Sequence, residues 1–229
     1  MSDFEDRPIS RFSINGPALW EGCILASCAQ AVMLPEYPFI LPEHEWSGGI
    51  YVTRGSGGAQ GALVFDENHN LILGMFRDFS SERSELVVSD EYAAFHYAGA
   101  PEETREMAEA LSILFEAGDR DLPYVTAGFW GEDGAVFSHD SQEEWLLHGG
   151  DILTSQMMPF EEAMEYYRIQ GSMDSRRMEI AERIWRERIK SREGETAVTK
   201  EEAEILASTG PYNMGVCEEL FRRFGVVFE

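Results

Sequence analysis

Basic residues are scarce in this chain. Its 229 residues hold 18 lysines and arginines against 42 aspartates and glutamates, a formal net charge of −24 at neutral pH. So negative a molecule meets a repulsive field at free DNA, RNA or an anionic bilayer, which disfavours those partners. Cysteine is scarce too. Cys23, Cys28 and Cys217 form an odd set without metal-ligand spacing. That excludes a disulfide scaffold and fits buried thiols in a reducing compartment.

Long apolar runs are missing as well. The candidate for a membrane or export segment is residues 22–34, GCILASCAQAVML, which is 13 residues long; a spanning helix needs about 20. Leu25-Ala26-Ser27-Cys28 resembles a bacterial lipoprotein cleavage box, yet Asp3, Glu5 and Asp6 precede it and Glu21 interrupts the apolar stretch. An export signal starts positive and keeps its apolar core unbroken. The run therefore reads as a buried helix, and a cytoplasmic location is expected. No catalytic, metal or cofactor motif stands out, so neither a cofactor nor a metal is expected.

Apolar residues make up 44% of the chain and aromatics 12%, enough to build a globular core. The acidic residues are concentrated. From Glu85 to Glu165 there are 19 of them with two arginines, a net charge of −17, whereas Met173 to Arg192 holds seven basic residues against four acidic. Pairs such as Glu179–Arg183 and Glu182–Arg186, four apart on a helix, predict that the basic stretch is neutralised within the molecule.

The apolar pattern changes period along the chain. Residues 20–34 read as a buried helix. Ile50-Tyr51-Val52-Thr53, Ala62-Leu63-Val64-Phe65 and residues 71–76 are short β-branched or aromatic runs separated by turns, the pattern of a β-meander. Leu86-Val87-Val88 and residues 92–97 are candidates for a further strand. Residues 100–118 form a helix led by Pro101 and two glutamates, with Met107, Leu111, Leu114 and Phe115 facing inward. A hairpin over 124–137 follows, and the remainder is helical, with a capping box at Thr199–Glu202. Strands first and helices last give an α+β fold, an antiparallel meander with hairpins packed against helices and a helical C-terminal third. One domain over 1–229 is expected, divisible into a sheet-rich part (1–150) and a helical part (151–229).

Three local patterns invite chemistry. Residues 54–61, RGSGGAQG, look like a phosphate cradle, but a strand follows where such loops need a helix, so a hairpin loop is the better reading. His139, Glu143, Glu144 and His148 offer imidazoles and carboxylates near one helix start, with spacing that matches no established zinc pattern; Asp140 or Ser141 is explained as an N-cap. Residues 77–85 mix both charge signs with three serines after a strand, without a histidine nearby in sequence to activate a nucleophile.

Charge is thus the leading functional signal. It predicts an acidic binding protein that docks a basic protein partner through Glu102, Glu103, Glu106, Glu109, Glu132, Asp133, Glu143 and Glu144, since such a surface speeds encounter and discriminates partners. In charge and size this resembles the small acidic immunity and inhibitor proteins that neutralise basic toxins or nucleases. The alternative is a small-molecule enzyme with a pocket between the meander and the C-terminal helices, for which Arg54, Arg77, His139 and His148 are the residues to test.

Overall fold

The structure, a computed structural model, describes residues 7–37, 39–55, 57–86, 90–116, 123–191, 194–210 and 212–229. In chain order the elements are β1 (Ser10–Phe12), α1 (Gly16–Met33), β2 (His44–Ser47), β3 (Ile50–Arg54), β4 (Gln60–Phe65), β5 (Leu71–Arg77), α2 (Asp90–Phe95), α3 (Glu102–Ser112), β6 (Ala127–Glu132), β7 (Ala135–Ser138) and α4 (Gln142–Leu147). They continue with α5 (Thr154–Met157), α6 (Phe160–Gln170), α7 (Ser175–Lys190), β8 (Thr196–Val198), α8 (Lys200–Thr209), α9 (Met214–Arg223) and β9 (Val226–Phe228). The fold is α+β. The chain forms two units, Met1–Trp20 with Gly49–Thr154, and Glu21–Gly48 with Ser155–Glu229.

In the first unit six strands run in the order β1-β7-β6-β5-β4-β3, every neighbouring pair antiparallel. The meander β3-β4-β5 and the β6-β7 hairpin form where the apolar runs predict them. Asp133 and Gly134 both take positive φ at the β6-β7 turn, which matches the twist of the flanking strands. Period-two alternation splits the sheet into two apolar faces. Val52, Ala62, Val64, Leu73, Met75 and Trp130 lie with Ala93, Tyr97, Ala108, Leu111 and Phe115 of the α2–α3 segment. On the opposite face Phe76 and Phe129 meet Trp145 of α4, with ring centroids 5.3–5.4 Å apart.

Two local readings change. Residues 92–97 are not a strand: Asp90–Phe95 is helical, because Ala93 and Tyr97, one turn apart, both bury against the sheet. Leu86 ends a short 3-10 turn over Glu82–Leu86, and Val87-Val88 lie outside the described residues. The helix that begins after Pro101 stops at Ser112 and tightens into a 3-10 turn over Ile113–Phe115. That change of winding keeps Phe115 buried and turns Leu114 outward.

The second unit is mainly helical. Asn15 opens α1, its Oδ1 accepting from the Ala18 amide at 3.0 Å. From Glu21 onward α1 is apolar on almost every side and buried over Cys23–Val32, so it needs helices around it. This explains why residues 21–48 join the C-terminal helices. The backbone of Gly22 comes so close to Gln156 that an added Cβ would sit 1.9 Å from its carbonyl oxygen, and the Trp185 indole donates to Glu21 O at 2.9 Å. Residues 16–36 are long and apolar enough to cross a membrane, but 72% of the 18-residue apolar window within them is buried, as in the core helix of a folded unit. Thr199 and Glu202 form the capping box that opens α8, and β8 pairs in parallel with β9.

Candidate functional site

The four residues of the enzyme reading all belong to the first unit and fall into two pairs. Arg54 and Arg77 end β3 and β5 and flank Gln60 of β4, the register partner of both. Arg77 Nη2 donates to Gln60 Oε1 at 2.8 Å, and its guanidinium lies 4.8 Å from the centre of the Phe79 ring. Burial, then the like charge of Arg54, lowers the Arg77 pKa. The glycine loop between β3 and β4 spends its amides internally: Gly55 N–H donates to Ala59 O and Gly58 N–H to Gly55 O. It is a hairpin loop leading into a strand.

His139 and His148 gather around Asp140 instead. Asp140 is almost fully buried and takes both guanidinium nitrogens of Arg83, Nη1 and Nη2, at 2.8 Å each. Arg7 adds a third contact at 3.2 Å, and Arg83 Nη1 also donates to Thr126 O at 3.1 Å. Burial pushes the Asp140 carboxyl up, but the Arg83 hydrogen bonds, with the charges of His96, Arg83 and Arg7, outweigh it, and the net shift is down. Ser81 Oγ lies 2.8 Å from His148 Nδ1 and accepts from the Arg83 amide at 3.1 Å. Thr126 Oγ1 donates to His148 O at 2.7 Å and accepts from the Asp78 amide at 3.0 Å.

A serine beside an imidazole is the start of a nucleophilic pair. Here the histidine uses Nδ1 on the serine, and the buried carboxylate nearby in sequence, Asp140, is held by Arg83. Burial, with the charge of Arg83 second, lowers the His148 pKa. The constellation therefore acts as a clasp that joins the loop after β5 to the start of β6 and the end of β7. His139 is also occupied: Nε2 lies 2.5 Å from Ala98 O and Nδ1 3.3 Å from Arg7 O. Among the described residues no group of three or more His, Cys, Asp or Glu side chains is placed to hold a metal ion.

Sequence reasoning named the loop of residues 77–85, Arg83 included, but gave Arg83 no role of its own, and it did not single out His96. His96 is 2% exposed, with no hydrogen-bond partner at Nε2; Tyr92 meets its ring edge-on at 5.3 Å. Burial drives its pKa down to about 4, against the pull of Asp140. Arg83 and Asp140 are 57 residues apart, so no local pattern could have joined them.

The acidic residues of the docking reading separate. Glu102, Glu103, Glu106 and Glu109 are all exposed along α3, and no ion pair engages them among the described residues. Glu132 and Asp133 are exposed at the β6-β7 turn, the end of that hairpin away from Asp140. Glu143 and Glu144 sit on α4, over the opposite face of the sheet from α3. Glu144 is partly consumed, capping Ser141 N at 2.9 Å and lying 3.8 Å from Arg7. The eight carboxylates thus do not share one face; the four on α3 form a coherent strip.

Charge is divided between the units. The first holds 23 acidic and 7 basic residues, net −16; the second holds 19 and 11, net −8. In the second unit several arginines meet carboxylates of that same unit: Arg177 meets Glu36, Arg183 meets Glu187 and Glu202, and Arg186 meets Glu182. Arg223 lies 3.2 Å from Glu219 and 3.7 Å from Glu45. Arg183 takes Glu187 and Glu202, not the Glu179 four residues before it, since α8 brings the Glu202 carboxylate to 2.5 Å. Comparison with protein-family models, with curated proteins and with solved structures finds no match to this chain.

Proposed function

We propose that this is a cytoplasmic binding protein of immunity or inhibitor type, which docks a basic protein through the outer side of α3. One observation carries the reading. Four glutamates stand exposed on one helix, without ion pairs among the described residues, in a unit of net charge −16. Exposed charges of one sign raise encounter rates with an opposite surface and reject like-charged partners. Several arginines of the second unit support it from the other side: Arg177, Arg183 and Arg186 are spent on carboxylates of that unit.

The test uses purified basic nucleases and toxins as a panel, with binding measured at low and high salt, about 50 and 500 mM, where the screening length falls severalfold. The expected result is capture of a panel member at low salt, release at high salt, and loss of capture in the variant E102Q/E103Q/E106Q/E109Q. Capture that ignores salt, or that survives the quadruple substitution, refutes docking through α3.

A further inference from the structure

The acidic strip of α3 ends in exposed apolar side chains. Glu102, Glu106, Glu109 and Ile113 are spaced four, three and four apart, the interval that aligns residues along one line of a helix. Ile113 keeps helical dihedrals, φ −56° and ψ −33°, so the line continues onto it. It is 65% exposed and the adjacent Leu114 47%. The opposite side of α3 follows the usual rule, with Thr104, Ala108 and Leu111 buried.

A single exposed leucine carries no information. Two adjacent apolar residues that extend a charged strip, on a fixed backbone, do. Gln60 does the fixing: it is itself 5% exposed, and its Nε2 donates to Leu114 O at 3.1 Å while its Oε1 accepts from Arg77. The turn that presents both side chains is thereby anchored to the first residue of β4 before any partner arrives. Preorganised apolar groups bordered by charge are the arrangement from which interface hot spots are built, since burial supplies affinity and the rim supplies selectivity.

We infer that Ile113 and Leu114 are the apolar anchor of the α3 docking surface. Its partner is then a protein segment that carries an apolar face beside lysines or arginines, the charges meeting Glu106 and Glu109 while the apolar side chains cover the turn. Charge complementarity selects that occupant: an apolar acidic surface would be repelled by the four glutamates, and a purely basic one would leave the anchor wet. The inference rests on the docking reading of α3.

Two synthetic peptides separate the two ideas: a 14-residue amphipathic helix of leucine and lysine, and a lysine–serine peptide of equal charge. The wild-type chain is expected to bind the leucine–lysine peptide more tightly. I113S/L114S should weaken that peptide by about tenfold or more and leave the lysine–serine peptide and its salt dependence unchanged. E102Q/E103Q/E106Q/E109Q should weaken both. A second readout uses I113C carrying an environment-sensitive dye, because the three native cysteines are buried and free; a blue shift on adding the leucine–lysine peptide is expected. Undiminished leucine–lysine binding in I113S/L114S, or a dye that stays in water, overturns the anchor while leaving the acidic strip intact. Unchanged binding of both peptides to the glutamine variant overturns the docking reading itself.

Discussion

His96 should make the first unit sensitive to acid, and the size of the effect follows from where it sits. The imidazole is 2% exposed, its Nε2 has no hydrogen-bond partner, and burial lowers its pKa from 6.5 to about 4. The neighbouring charges work in both directions: Asp140 raises the value, and Arg83, His139 and Arg7 lower it. In the unfolded chain the ring accepts a proton near pH 6.5, whereas in the folded chain it does not until about pH 4. Between these values the unfolded state binds more protons, so stability is lost as pH falls through that window. At 1.36 kcal/mol per pH unit the full loss is about 3 kcal/mol, a large share of an ordinary domain's stability. The perturbation is His96→Phe, which keeps an aromatic ring and removes the titrating nitrogens. Urea unfolding of both proteins at pH 7 and pH 4.5 gives four midpoints. Groups that do not interact with position 96 titrate alike in both chains, so the difference of differences reports His96 together with its coupling to Asp140. The wild-type chain is expected to lose about 2–3 kcal/mol more than the variant. Equal losses would refute the reasoning, since they would mean that position 96 takes up no extra proton on unfolding.

Two further substitutions test the packing. Arg83→Met leaves the Asp140 carboxylate buried beside Arg7 alone and should cost about 3–5 kcal/mol in chemical denaturation; adding Asp140→Leu should recover much of it, because the uncompensated charge is then gone. Gly22→Ala puts a methyl group where the Gln156 carbonyl oxygen is 1.9 Å away, so α1 must shift; a loss of about 1–3 kcal/mol is expected, and a midpoint unchanged within error would show that the close approach is absent.

Elements whose signals are local were legible in the sequence. The meander strands announce themselves through β-branched runs between turns, and the Thr199 capping box marks the start of α8. Residues 92–97 misled because Tyr-Ala-Ala-Phe-His-Tyr suits a strand by composition, and only the sheet against which Ala93 and Tyr97 pack makes a helix the better solution. Leu114 misled for a related reason: a 3.6-residue period carried past Ser112 places it inward, but the chain tightens there and turns it out. The Arg83–Asp140 clasp was beyond reach because its members come from distant segments. The acidic residues were legible as a total and not as a surface, since which sheet face α3 and α4 cover is decided by packing.

The two units answer the same excess of acid differently, and the contrast bears on what α3 is for. If negative charge served solubility alone, its distribution would be indifferent, and basic residues would be spent wherever pairing is cheap. In the second unit several are spent that way: exposed pairs within a helix turn, such as Arg186–Glu182 and Arg168–Glu165, are each of small value. In the first unit two arginines converge on one buried carboxylate, where pairing is obligatory because an unpaired charge there would be costly. The glutamates of α3 have one basic residue on their own helix, Arg105, which is itself exposed. Mutual repulsion along the strip opposes the helix by a few tenths of a kcal/mol per pair, a cost that the helix dipole at Glu102 and Glu103 and the charge of Arg105 offset only in part. A basic surface laid against α3 would relieve that repulsion and cover Ile113 and Leu114 in the same step. Solubility explains the charge but not the exposed apolar end of the strip; the docking we propose would account for both.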